Sequence, residues 1–488
     1  MSMARRFILA AAVLTLVFAT GLSAAAGDLD TSFNGTGKVL TDFAGGSNDL
    51  ANGVAVQADG KVVVAGGSNN ETDSSFAVVR YTVNGALDPA FDGDGKVRTD
   101  FTSSSTEWAQ SLAIQPDGKI VVIGPVGLPG NGTGADFGLV RYNADGTLDA
   151  GFSGDGKVVI DFAHTTDFPE SVALQSDGKI VVAGSSRPFG TQAYDFAVAR
   201  YNQDGSLDGS FDGDGKVITN IFTGSDDFAT RVAVQTDGRV VAGGVASIGS
   251  AYSAVLVRYM PDGSLDGSFD GDGKVVVTTP TDSINDLALQ PDGKIVTAGG
   301  ASHITRFNAD GSVDNTFAAG SSPFPSPFAL AIQRDGRIVA AAPTGYPASD
   351  FGVTRYGPNG ALDLSFGSGG TLTTDLAATD IPAGVALAPD GKIVVAGIGG
   401  PAGAGPNDFA VVRYLAAPPQ CKVPNVRGKK LAAAKASIRR ARCTAGKVTR
   451  KPSKRVKKGR VISQSPRAGA TVPSGGKVNL VISKGRRR

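Results

Sequence analysis

The chain has 488 residues, with 47 Lys and Arg against 45 Asp and Glu, 67 glycines, two cysteines and two histidines. Glycine is present at roughly twice its usual share of about 7% and follows no Gly-X-Y period, which points to many tight turns in an all-β chain. Structural zinc usually takes about four Cys or His ligands, so this composition argues against such a site.

In chain order, residues 1–26 (MSMARRFILAAAVLTLVFATGLSAAA) place two arginines before an apolar run that ends in small residues. That is the pattern of a secretory signal peptide, cut near Ala24-Ala25-Ala26, with an uncleaved anchor as the alternative. No later stretch approaches ~18 uninterrupted apolar residues, so no transmembrane helix is expected in the mature chain.

Between residues 27 and 415 one phrase returns seven times. Asp-Gly occurs at Asp59, Asp117, Asp177, Asp237, Asp292, Asp335 and Asp390. Each is followed by an Arg-Tyr or Arg-Phe pair, beginning at Arg80, Arg141, Arg200, Arg258, Arg306, Arg355 and Arg413. A Leu/Val-Asp-x-x-Phe phrase also comes seven times, from Leu29-Asp30 to Leu362-Asp363. The spacing of 43 to 61 residues is that of a repeat architecture.

Within the first unit, GVAVQ and KVVVAGG flank Asp59-Gly60, a strong hairpin signal. FAVVRYT forms a third strand, Asn84-Gly85 turns the chain, and GKVRTDF forms a fourth. Four short antiparallel strands repeated seven times predict a seven-bladed β-propeller. A β-helix would have shorter rungs and no hairpin turns. The array opens on a lone fourth strand, GKVLTDF (Gly37 to Phe43), and its last unit stops after a third strand, FAVVRYL (Phe409 to Leu415). The N-terminal strand is therefore expected to complete the seventh blade and close the ring, removing two open edges. The recurring Arg is expected to stack or pair within its blade, as scaffold.

These phrases resemble the bacterial delta-60 repeats over about Gly27 to Leu415. The resemblance implies a propeller and no particular activity.

The turns FDGDGKV at Phe91, Phe211 and Phe269, and FSGDGKV at Phe152, suggest oxygen-rich calcium loops. They lack the third acid and the later Glu of an EF-hand, and Lys96 opposes a cation, so a Gly-rich turn is preferred and no cofactor is expected. Variable loops (Ser68 to Ser75, Pro125 to Asp136, Ser185 to Asp195) should share the face opposite the Asp-Gly turns, where an unknown ligand would bind. An acid precedes the first strand in six units: Asp49, Glu107, Asp167, Asp227, Asp282 and Asp380, with Pro325 in the other. These acids either ring the channel mouth with negative potential or cap their own turns. Trp108, Phe168, Tyr194 and Tyr252 fall in loops of that face and are candidates to stack on a sugar or peptide. His164 and His303 have unrelated contexts, and no Gly-x-Ser-x-Gly or His-Glu-x-x-His spacing occurs, so an enzyme is not expected.

A linker, AAPPQ (residues 416–420), precedes a region of opposite charge. From Pro418 to Arg488 there are 22 Lys and Arg and no acid; with Arg5 and Arg6 set aside, 23 basic residues face all 45 acids in the repeats. CKVPNVRG reads as a strand, and KKLAAAKASIRRA as a helix with Leu431, Ala434 and Ile438 on one face. GKVTRK, GRVISQSP and KVNLVISKG read as strands. Cys421 and Cys443 are expected to form a disulfide in an exported protein.

Residues 421–485 resemble a PASTA domain, through Val423-Pro424, Val426, Gly428, Gly459, Val461-Ile462, Gln464, Pro466, Gly469, Val478, Ser483 and Gly485. The resemblance implies contact with peptidoglycan or other wall material, although there is one copy and it is unusually basic. Residues 486–488 are a basic tail. With export, anionic wall polymers, acidic lipids or the propeller's own acids suit these cations better than nucleic acid.

The reading is thus an all-β seven-bladed propeller plus a small α+β PASTA-like domain. It describes a secreted, monomeric, cell-wall-associated binding or structural protein. The alternative is an extracellular carbohydrate-active enzyme with its site at the acidic mouth.

Overall fold

In the computed structural model the described residues are 24–486, apart from 44, 71–72, 103–104, 129–133, 163–164, 249–250, 278–282, 301–302, 319–321, 346–348, 401–405, 418–419, 442 and 474–475. Most of the expected signal peptide, together with His164 and Asp282, therefore lies outside them. The chain divides into one unit of Ala26–Ala417 and another containing Pro418–Arg488.

In the larger unit, alternating apolar residues build short antiparallel strands, and Asp-Gly turns reverse them. The first blade runs Asn48–Val56, Val62–Asn70, Asp73–Tyr81 and Lys96–Thr99, from inner to outer strand. Gly60 sits in its first turn at φ 89°, a conformation that penalises a side chain with a Cβ. At the second turn, a Cβ on Gly85 would lie 2.8 Å from the backbone nitrogen of Asn34, so close packing also demands glycine there.

The opening strand, Lys38–Thr41, pairs antiparallel with Phe409–Val412 of the last unit and forms the outer strand of the seventh blade. Seven hydrophobic clusters follow, each lying between neighbouring blades. The cluster joining blade seven to blade one contains Val62, Val64 and Tyr81 together with Val394, Phe409 and Val411. The core is thus a circle of interfaces, each built from fully buried Val, Ala, Phe and Tyr side chains. Burying one such large side chain is worth ~1.5–3 kcal/mol.

Two departures from regularity have physical causes. Blade five has three strands among the described residues, Asp286–Leu289, Ile295–Gly299 and His303–Phe307. Where its outer strand would fall, the sequence carries Pro323, Pro325 and Pro327, which cannot donate ladder hydrogen bonds. The inner strands also slip register by one residue, for example between Ala51 and Gly53 and between Pro169 and Ser171. Each slip is a β-bulge, which re-aims one side chain.

In the smaller unit, the helix Leu431–Arg440 buries Ala434 and Ile438. The strand Lys477–Ser483 lies between Thr444–Lys451, parallel to it, and Val461–Ser465, antiparallel. Of the expected first strand only Cys421 and Lys422 join a ladder, together with Gln420 of the expected linker, pairing with Thr471–Pro473. Pro424 follows and removes a donor.

Candidate functional site

The three recurring phrases of the propeller converge on one aspartate per blade. Arg80 donates from Nε to Asp88 Oδ2 at 2.7 Å, and Lys61 Nζ lies 3.1 Å from the same oxygen. The Arg80 guanidinium stacks over Phe91, 4.8 Å from the ring centre, and donates to the carbonyl of Ala144 in the next repeat. The same set recurs around the circle, and its last member joins the chain ends. Arg413 donates to Asp30 at 2.8 Å, stacks over Phe33 at 4.5 Å and donates to the Val83 carbonyl at 2.7 Å. Burial alone would raise the pKa of Asp266; the hydroxyl and N–H of Ser268 and the Arg258 guanidinium outweigh it and hold the group at about 2. These residues are scaffold: the arginine both stacks and pairs, and it also ties each blade to the next.

Of the acids read as either ringing the channel mouth or capping their own turns, five fall among the described residues. Asp49, Glu107, Asp167, Asp227 and Asp380 are all 0% exposed. Each accepts a backbone N–H from the preceding loop: Phe43, Phe101, Phe162 and Ile221 at 2.8 Å, and Leu376 at 2.6 Å. Burial in the wall between blades keeps them from lining an open mouth, so the ring of exposed charge is replaced by a set of turn caps.

The FDGDGKV turns serve as connectors. Asp92 takes φ 51° and donates its N–H to the Asp145 carbonyl of the next repeat at 2.7 Å. Asp94 accepts the Lys96 N–H at 2.8 Å. Among the described residues, the groups of three carboxylates close enough to share a metal ion lie instead at blade junctions: Asp42 with Asp49 and Asp408, Asp136 with Asp161 and Asp167, and Asp350 with Asp375 and Asp380.

A polar belt that the sequence did not signal runs along the inner strands. Asn52 donates to the Ala109 carbonyl at 2.8 Å, and Gln110 donates to Glu170 at 2.7 Å. Arg231 lies 3.1 Å from Asp286. Burial raises the pKa of Glu170, against the pull of Gln110 and Arg231. Asn52 and Glu170 are the bulge residues of their strands, so only the register slip places them there.

Of the loop aromatics, Phe168 and Tyr194 come together, their ring centres 6.0 Å apart. Phe228, absent from the sequence-based set, extends the row at 5.3 Å from Tyr194, and Arg187 covers the Tyr194 ring at 5.9 Å. Trp108, on blade two, is 41% exposed, and Tyr252, on the same blade as Phe228, is 55% exposed. His303 opens the third strand of blade five.

The small unit has its own core, in which Cys421 and Cys443 form a disulfide with Cα atoms 5.5 Å apart. Gln464 donates to the Pro424 carbonyl and accepts the Val426 N–H, both at 2.8 Å, so three residues of the motif meet. A cavity of about 410 Å³ is lined by Leu431, Arg450, Lys458 and Lys484, among others.

Fold and sites together define a seven-repeat β-propeller carrying a small basic α+β module. Seven stretches, 57–91, 115–152, 175–211, 235–269, 290–317, 333–366 and 388–416, match the DUF5122 β-propeller family, a domain of unknown function. Residues 422–484 match the PASTA domain. The chain is a DUF5122-type β-propeller protein with a C-terminal PASTA domain.

Among solved structures, a protein of unknown function from Dyadobacter fermentans DSM 18053 is similar at 12% identity, covering 78% of this chain and 97% of its own, with TM-score 0.41. The C-terminal WD40 domain of Sif2 is similar at 14% identity, 77% and 98% coverage, and TM-score 0.40. The extracellular region of the Ser/Thr kinase PrkC from Staphylococcus aureus is similar at 26% identity over 16% of this chain and 27% of its own, with TM-score 0.15. No curated protein matches the chain.

Proposed function

We propose that this is an exported, wall-associated binding protein, in which the PASTA domain anchors the chain and the propeller displays a binding face. The observation that carries this reading is the chemistry of the PASTA domain. The region from Pro418 to Arg488 has 22 cations and no acid, and Arg450, Lys458 and Lys484 line one cavity. Such a surface attracts polyanions strongly at low ionic strength and more weakly as salt screens it. The disulfide suits an oxidising compartment. Among the described residues no helix is long and apolar enough to cross a membrane. On the propeller, the row of Phe168, Tyr194 and Phe228 presents flat faces suited to sugar or peptide stacking.

The test is co-sedimentation with purified cell wall, comparing the full chain with one ending at Ala417. Retention by the full chain, lost on truncation and weakened by salt and by a Lys458→Glu, Arg450→Glu variant, is the expected result. Equal retention of the truncated chain, or none by either, would overturn the anchor.

A further inference from the structure

Three of the seven blade junctions carry the same group of three carboxylates. At each, one Asp lies at the start of a third strand (Asp408, Asp136, Asp350) and one follows an outer strand (Asp42, Asp161, Asp375). The third lies near the start of the next blade's inner strand (Asp49, Asp167, Asp380). Within each group, one carboxylate oxygen from every member lies within 4.8 Å of the others. Like charges so close repel one another, most of all where one member of each group is fully buried, as Asp49, Asp167 and Asp380 are.

Two further observations point to a ligand. Asp49 and Asp380 are 0% exposed; Oδ2 of each accepts a backbone N–H, while Oδ1 of each is buried with no hydrogen-bond partner among the described residues. A buried carboxylate oxygen is normally paired. The other junctions then show what happens where a carboxylate is missing. Between blades one and two, Ser75 stands in place of the third-strand Asp, and Arg98 donates to its hydroxyl at 2.8 Å, so a cationic side chain reaches that spot. Between blades three and four, Asn220 stands in place of the outer-strand Asp and donates to Asp195 at 2.8 Å. Two incomplete junctions thus supply their own donor, whereas the complete ones retain three acids.

We propose that the three complete junctions bind hard divalent cations of the calcium class, which pin blade seven to one, two to three, and six to seven. The donors are carboxylate oxygens without His or Cys, which selects a hard ion. Calcium accepts an irregular set of carboxylate oxygens more readily than magnesium, which demands near-ideal octahedral geometry. These sites are distinct from the FDGDGKV turns, and one of them lies at the junction where the chain ends meet.

The test uses the full chain, stripped with EDTA, equilibrated with calcium and analysed for bound metal and thermal midpoint. The expected result is three calcium ions per chain and a saturable rise in midpoint, with a smaller rise in magnesium. A triple variant, Asp49→Asn, Asp167→Asn, Asp380→Asn, keeps an acceptor for each backbone N–H; it should bind none and lose the response. A second variant, Ser75→Asp with Arg98→Leu, completes the first junction with Asp100 and Glu107 and should raise uptake to four. No uptake by the parent chain, or uptake that the triple variant retains, would overturn the proposal.

Discussion

Arg413 donates a hydrogen bond of 2.8 Å to Asp30, a residue 383 positions earlier in the chain. The same arginine donates to the Val83 carbonyl of the first blade. One side chain therefore joins the last repeat both to the N-terminal segment and to the first repeat. If the circle is closed, this arginine is equivalent to those inside the array. Arg413→Met and Arg258→Met should each destabilise the propeller by about 2 kcal/mol, because each strips a charge-assisted hydrogen bond from a buried aspartate that keeps the cation of its Asp-Gly turn, Lys392 or Arg239. Denaturant titration of the two variants checks this: a much smaller loss for Arg413→Met would mean that the ends are loosely held.

Seven such aspartates give the fold a defined acid limit. Asp30, Asp88, Asp149, Asp208, Asp266, Asp314 and Asp363 all have pKa values held below the ordinary range in the folded chain. A depressed folded pKa contributes stability above the unfolded value of about 3.9, and that contribution is lost as pH falls below it. Stability should therefore drop steeply between about pH 4 and pH 2. Thermal midpoints measured across that interval check the prediction, and an Asp266→Asn variant should show a shallower slope.

A missing hydroxyl identifies a repairable defect. Tyr81, Tyr142, Tyr259 and Tyr414 hydrogen-bond Thr41, Thr99, Thr219 and Thr374 of the preceding blade at 2.7 to 2.8 Å. At the equivalent place Tyr201 faces Ile160, and its hydroxyl is buried without a partner among the described residues. Where the outer strand carries Val277, the chain has Phe307 and no hydroxyl to satisfy. Ile160→Thr should therefore stabilise the propeller by about 1 kcal/mol. Equilibrium unfolding of this variant beside Tyr201→Phe checks it, since the first change supplies a partner for the hydroxyl and the second removes it.

The disulfide should act on the small domain alone. Cys421 and Cys443 are 22 positions apart, and a loop of that size is worth roughly 3 kcal/mol in the chain-entropy model. Reduction should lower the PASTA transition in a calorimetric scan and leave the propeller transition unmoved.

Much of this architecture was legible in the sequence because it is written in short local phrases. Asp-Gly turns, the Arg-Tyr pairs and the strand left over at each end are recognisable without knowledge of distant contacts. The roles of the acids were not legible to the same degree. A carboxylate before a strand reads the same whether it faces a channel or is buried, and only the packing of Asp49 beneath the Phe43 loop decides between them. The inner belt was hidden for a different reason: bulges at Asn52 and Glu170 break the alternation that predicts which way a side chain points. Phe228 was overlooked because it lies inside a strand, where an aromatic reads as core.

The most direct measurement of the central claim is amide hydrogen exchange in residues 38–41, the segment that pairs with Phe409–Val412. Closure predicts protection equal to that of Lys216–Thr219, the outer strand of an internal blade, with both exchanging only through global unfolding. Rapid exchange of residues 38–41 while Lys216–Thr219 stays protected would contradict it.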